Sequence, residues 1–253
     1  MTAPTRRERV RAATLDEIKQ TARRLLIEQG PAAISLRAIA REMGMTAPAL
    51  YRYFPSHEAL LDGLCGDLKD ELVAELEQAR DAVPADQIEI RLLAACRAFR
   101  GWAIAHPAEF TLMFASARRE VSEVSGSVPF AGARPEPGEC LGEVAAGPGH
   151  EAAQRFGRVF MDLIVELWHR RHFPVIESDV FPPDLRRQLE RFVDGAGLSV
   201  PIGVAYVFLS GWVRLYGLVA LEVFGHLDFA VGDVEPLFEA EIRAMAAQLN
   251  MTL

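Results

Sequence analysis

Apolar positions recur at three- and four-residue spacing along almost the whole chain, and that period predicts helices throughout. Ile18, Ala22, Leu25 and Leu26 mark the first apolar face, and Gly30 and Pro31 stop that helix. Ser35 is placed to cap a second helix whose inner face is Leu36, Ile39, Ala40 and Met43, with Gly44 as its left-handed terminator. Thr46 is placed to cap a third, very short helix. Pro48 falls in its first turn, where a missing N–H costs nothing, Leu50 and Phe54 face inward, and Pro55 ends it. From Ser56 a long helix carries Leu60, Leu61, Leu64, Leu68, Leu72 and Leu76 as far as Arg80. The same spacing predicts helices over 86–105, 107–117, 151–172, 183–195, 201–225 and 234–249. Residues 118–150, rich in Gly, Pro, Ser and Ala, have little periodicity and are expected to form a long loop. No stretch alternates as a strand would. The fold class expected is all-α, with a three-helix helix-turn-helix domain over 1–62, a basic arm over 1–14, and a larger helical domain over 63–253.

Composition changes this picture in two places. Half of the 253 residues are hydrophobic, enough for a sizeable core, and the net charge of −8 excludes a polybasic chain. That average hides a split, +3 over residues 1–66 and −11 over the rest. A basic end on an acidic body points to a localised contact with a polyanion, although ordinary surface variation produces splits of this size. Cys65, Cys96 and Cys140 are far apart and in no metal-ligand spacing, which argues against a disulfide framework or a zinc site and fits a reducing compartment. The first eleven residues lack the apolar core of a signal peptide. The longest apolar stretch, residues 200–213, is interrupted by Arg214, which favours a buried helix over a membrane span. The expectation is a cytoplasmic protein with no membrane association, no metal and no cofactor.

Three short helices with Gly44 at the turn can place the start of the third in a DNA major groove. Thr46, Ala47, Pro48 and Ala49 are small there and permit close approach; Tyr51, Arg52 and Tyr53 offer donors to phosphates. Arg37, just after Ser35 and Leu36, can reach a guanine edge or a phosphate. Any helical bundle contains short helices separated by Gly, so the pattern alone is weak. Arg6, Arg7, Arg9 and Arg11 would track phosphates or enter a minor groove, or else form a frayed, solvated tail.

The run at 34–61, with Leu50-Tyr51 and Phe54 at its centre and Glu58 and Leu60 opening the connecting helix, resembles the N-terminal domain of TetR-like transcription regulators. The resemblance spans roughly residues 15–65. It implies a homodimer that binds a palindromic double-stranded operator, a small-molecule effector that releases it, and Arg37, Ala47, Pro48, Ala49, Tyr51 and Tyr53 at the DNA. Ser35, Thr46 and Arg52 complete the expected DNA-binding set. The family pattern has a lysine before Glu58; this chain has His57, which keeps a hydrogen bond to phosphate but not the fixed charge. The stretches around Trp102 to Phe114 and around Gly211 to Phe224 are similar to the subgroup with a Trp-His-Gly signature. Trp212 and Gly217 are in place, and Tyr216 stands where the subgroup has His.

The larger domain is therefore expected to bind the effector and to dimerise. Candidate lining residues are Phe99, Trp102, Phe110, Met113, Phe114, Phe160, Trp168 and Tyr206, whose character favours a hydrophobic or aromatic ligand. Arg100 and Glu166 could orient a polar group. Small residues Gly203, Ser210 and Gly217, together with Phe238, Ile242 and Met245, are expected at a four-helix dimer seam made by the last two helices of each subunit. Glu166, His169 and His172 are spread around a helix rather than gathered on a metal, and no nucleophile-elbow, phosphate-loop or dinucleotide motif occurs, so no catalytic residue is expected. The competing readings are a same-fold activator or partner-controlled regulator, and a helical ligand-binding protein or enzyme with no DNA role.

Overall fold

A computed structural model describes residues 5–115 and 148–251 and contains ten α-helices and two short 3₁₀ turns among them, with no strand. The helices are α1 (Arg6–Gln29), α2 (Leu36–Glu42), α3 (Ala47–Tyr51), α4 (His57–Asp81), α5 (Ile88–Ala105), α6 (Pro107–Ala115), α7 (Pro148–Arg171), α8 (Pro183–Gly195), α9 (Ile202–Val223) and α10 (Glu235–Gln248). Most of the loop expected at 118–150 lies outside the described residues, and α7 begins at Pro148. The chain divides into two compact units. One holds the residues up to Asp70, those from His106 to the end of α6, and the start of α7 through Ala153; the other holds Glu71–Ala105 and the chain from Gln154 onward.

The first unit is built on α1 and is larger than the helix-turn-helix segment. Ile18, Thr21, Ala22, Leu25 and Leu26 form its buried stripe, and Leu36, Ile39, Ala40, Leu50, Phe54, Leu60, Leu64 and Leu68 are buried with them. Helix α1 starts earlier than its apolar spacing suggests. Thr5 Oγ1 accepts from the Glu8 amide and the Glu8 carboxylate accepts from the Thr5 amide at 2.6 Å, a reciprocal cap that fixes the first turn. Arg6, Arg7, Arg9 and Arg11 therefore lie on a helix, which corrects the expectation of an arm ahead of one. Helix α6 belongs to this unit and packs on α1. Arg23 Nε of α1 donates to Glu109 Oε1 of α6 at 3.1 Å; Glu109 is 2 % exposed.

Helix α2 ends in a two-bond terminator: Met45 N–H donates to the Ala40 carbonyl at 2.8 Å and Gly44 N–H to that of Arg41 at 3.3 Å. This geometry holds Gly44 at φ 64°, where a side chain is strained. Gly44→Ala is expected to lower stability by about 1 kcal/mol from this strain alone, because nothing lies within 4 Å of the added carbon. Denaturant titration checks it; an unchanged midpoint would mean that the turn is not held as described.

In the second unit, Phe99 of α5, Phe156 and Phe160 of α7 and Trp212 of α9 form one aromatic cluster, with ring centroids 5.3–6.4 Å apart. A smaller core joins Leu189 and Val193 of α8 to Ala205 of α9 and Phe181. Two paired-fork ion pairs tie α5 to the C-terminal helices, Arg100 with Glu222 at 2.6 and 2.8 Å and Arg97 with Glu239 at 2.7 and 2.9 Å. Arg100 is therefore committed to Glu222, and Glu166 pairs with Arg170. Gly203 of α9 is needed for close approach: a Cβ there would sit 2.5 Å from the Ile176 carbonyl oxygen and 2.9 Å from Val175 Cβ. Helix α9 is long and apolar enough to cross a membrane, the one such helix among the described residues. Gly203, Val204, Ala205, Leu215, Val219 and Ala220 are its buried side, while Val213 is 68 % exposed and Leu221 and Phe224 are exposed as well.

Candidate DNA interface and ligand cavity

The reader half of the site is small and open. Ser35 Oγ accepts from the Ala38 amide at 3.1 Å and starts α2, which leaves the next residue but one, Arg37, exposed in the first turn. The Arg37 side chain makes no hydrogen bond or ion pair among the described residues. Thr46 occupies the cap position of α3 but its hydroxyl makes no cap bond; Pro48 supplies the helical φ in its place and both are exposed. Ala47 and Ala49 are half-buried beside them and Leu50 anchors the helix from below. Tyr51 is 48 % exposed and Arg52 is exposed. Tyr53 is half-buried with the Arg11 guanidinium 5.2 Å from its ring centre, and Arg11 also donates to the Arg52 carbonyl at 3.4 Å. That contact was not foreseen: it links the first turns of α1 to the end of the reading helix.

His57 has a different place from the one expected. Its Nε2 lies 2.9 Å from the Ile34 carbonyl oxygen, so in the neutral ring the one N–H is spent on the protein and Nδ1 is an acceptor. An acceptor repels a phosphate oxygen; only the doubly protonated ring has a donor to spare. His57 ties the start of α4 to the segment before α2, and it holds the reader together.

The second unit contains a cavity of about 360 Å³. Its walls come from α5 (Leu92, Cys96), α7 (Phe160, Ile164), α9 (Tyr206, Trp212), α10 (Ile242, Met245) and the segment at 174–176. Burial pushes the Cys96 thiol up to about 12, so it is a neutral, apolar part of that wall. A second, wider space of about 900 Å³ lies beyond Val175 and Ile176, which border both; it is bounded by Trp168, Glu177, Glu190 and Asp194.

Of the residues expected at the ligand, Phe160 and Tyr206 line the first cavity and Trp168 the second. Phe99 is fully enclosed in the aromatic cluster, and Trp102 is buried with Nε1 donating to Glu71 Oε1 at 3.2 Å. Phe110, Met113 and Phe114 belong to the first unit, where the Phe110 and Phe114 rings lie tilted with centroids 4.8 Å apart. Phe99, Trp102, Phe110 and Met113 are buried core and Phe114 is half-buried; helical spacing alone places an aromatic the same way in either role.

Three residues expected at a dimer seam are enclosed within the protomer and offer no surface to a partner: Gly203 under 174–176, and Phe238 and Ile242, each 1 % exposed. Ser210 and Met245 line the cavity, and Gly217 stands in open space. The outward faces of the last two helices carry other residues, Val213, Leu221 and Phe224 on one side and Ala240, Ala244 and Ala247 on the other. The cavity also includes Arg214 and Gln248, which no aromatic pattern selects.

Two family descriptions match the chain. Residues 18–64 match the family described as bacterial regulatory proteins, tetR family. Residues 92–245 match a tetracyclin repressor-like C-terminal domain. The chain is 30 % identical to the HTH-type transcriptional regulator Rv1816 of Mycobacterium tuberculosis over 92 % of its own length and 91 % of the relative's. The same figures hold for the HTH-type transcriptional regulator Mb1846 of Mycobacterium bovis. Among solved structures it is similar to the protein SCO4313, at 25 % identity and a TM-score of 0.65, over 97 % of this chain and 100 % of that one.

Proposed function

Because this chain belongs to the TetR family of transcription regulators, we propose that it is a homodimeric repressor whose two readers leave a palindromic operator when a small apolar molecule fills the 360 Å³ cavity. The observation that carries the reading is the pairing of an exposed, small-residue reading helix with an apolar cavity in the other unit of the same chain. Helix α4 is continuous from His57 to Asp81 and has one end in each unit, as α7 does, so it is one of the covalent routes between them. Two readers must meet successive major grooves about 34–36 Å apart, so a modest change of tilt along α4 spoils the match. Dimerisation falls to the outward faces of α9 and α10, where exposed Val213, Leu221 and Phe224 leave an apolar surface beside the alanines of α10. The protein acts where the chromosome is, in the cytoplasm, and the reading asks no catalysis of it.

At the DNA, Thr46 and Pro48 at the tip of α3 approach base edges, Tyr51 and Arg52 hold phosphates, and Arg37 reads a base. The test is binding of the full chain to a labelled duplex from its own upstream region and to a shuffled duplex. Tyr51→Ala is expected to weaken both to a similar degree, because phosphate contacts carry little base information. Arg37→Ala is expected to relax preference at one operator position, by about 1–3 kcal/mol. Equal losses on both duplexes would remove Arg37 from base reading, and no loss with Tyr51→Ala would remove α3 from the interface.

A further inference from the structure

We propose that the cavity takes an apolar molecule bearing a single carboxylate, and that Arg214 receives that carboxylate; this rests on the cavity being the effector site. Arg214 is the only Lys, Arg, His, Asp or Glu among the lining residues, in walls otherwise made of aliphatic and aromatic side chains, a neutral thiol and a few uncharged polar groups. It interrupts the apolar face of α9 and reaches across to α10, where one terminal nitrogen donates to Glu241 Oε2 at 2.7 Å and the other to Gln248 Oε1 at 3.0 Å. A guanidinium has five N–H donors in a planar fork. Nε–H and one N–H on each terminal nitrogen of Arg214 make no hydrogen bond among the described residues.

The charge pattern selects among ligand classes. An ammonium-bearing ligand would bring like charge to the one cation of the wall. A wholly neutral ligand would leave the spare donors of Arg214, whose side chain is 31 % exposed, to water and gain nothing from its charge. A carboxylate meets the guanidinium fork in two parallel hydrogen bonds, the geometry that this side chain favours over any other. Glu241 holds part of that fork now. Its side chain is 43 % exposed, so when displaced it returns to water rather than to a buried, unpaired state. Exchange of one carboxylate for another at Arg214 would also open the link between α9 and α10. The body of the ligand is bounded by the volume, the space of about twelve waters at liquid density, which suits a medium-length chain or a two-ring system.

The test uses N-phenyl-1-naphthylamine, a neutral fluorophore, as occupant of the full chain, displaced by decanoate, decan-1-ol or decylammonium. Decanoate is expected to displace it at about tenfold lower concentration than decan-1-ol, with decylammonium weakest, as a charge-assisted pair at Arg214 requires. Arg214→Gln is expected to bring decanoate to the level of the alcohol while leaving the alcohol unchanged. Glu241→Gln, which removes the competing carboxylate and keeps Arg214, is expected to sharpen decanoate binding severalfold. Circular dichroism reports whether each variant is folded. Equal displacement by decanoate and decan-1-ol in the wild type and in Glu241→Gln would overturn the carboxylate assignment and leave the effector cavity standing. A fluorophore that does not bind, or whose binding Ser210→Trp does not weaken, would overturn the cavity reading and this proposal with it.

Discussion

Phe99→Ala is expected to lower the unfolding free energy by about 3–5 kcal/mol, the largest effect of any single change considered. Phe99 has no exposed surface, and its ring lies 5.7, 6.4 and 5.5 Å from Phe156, Phe160 and Trp212. Truncation forfeits the burial of the ring and leaves a void among three other rings that have packed against it from α7 and α9. Large aromatic rings do not collapse into such a void without leaving their rotamers, so little of the loss is recovered. For a chain of this size the unfolding midpoint should fall by about 10 °C, at about 2–4 °C per kcal/mol. Phe99→Leu fills most of the volume and should recover more than half of the loss. The measurement is paired thermal and denaturant unfolding; a Phe99→Ala midpoint within a degree or two of wild type would mean that the cluster is not the core of the second unit.

Arg23→Met is expected to cost about 2–3 kcal/mol, although the residue lost is itself partly in water. The reason lies in its partner. The Glu109 side chain is 3 % exposed, whereas that of Arg23 is 29 % exposed, so removing the cation strands a carboxylate that water cannot reach. The figure is set below the 3–5 kcal/mol typical of a broken buried pair because Arg23 is partly in water, which already screens the attraction that is lost. Removing both charges is a different experiment. Arg23→Met with Glu109→Met leaves no buried charge and should regain most of the stability, so the two single changes will not add. A double variant as unstable as Arg23→Met alone would show that the cost comes from lost Arg23 packing rather than from Glu109. Because the pair joins α1 to α6, the single variant should also loosen α6, seen as faster amide exchange over 107–115.

The first helices were legible because two independent signals agreed there, an apolar stripe and a chemical stop, and the later ones on the apolar stripe alone. Leu36, Ile39 and Ala40 with Ser35 before and Gly44 after leave little freedom, and the structure ends α2 with the bonds that such a glycine permits. The early start of α1 was also written in the chain, in Thr5 and Glu8 at capping distance, but four arginines dominate that segment and suggest a tail. The ligand wall was much less legible. Phe99, Phe160 and Phe110 have the same residue type and the same helical spacing. One fills a core, one lines a cavity and one lies in the other unit, a distinction made by which helices meet and not by any one helix. Phe238 and Ile242 failed as seam residues for a related reason, since burial against one's own subunit and burial against a copy call for the same side chains. Arg214 had a visible signal, the lone charge in a long apolar run; in the sequence it argues only against a membrane, and the cavity gives it a second meaning.

The most direct test is a titration of the full chain into a labelled duplex from its own upstream region, at about 50 and 200 mM salt, with and without a saturating cavity occupant such as decanoate. The account predicts two protomers bound per site, affinity that falls steeply with salt, preference over shuffled DNA, and a loss of about 5- to 150-fold when the occupant is present. Binding that ignores salt and sequence, or a chain that binds no duplex under either condition, would contradict it.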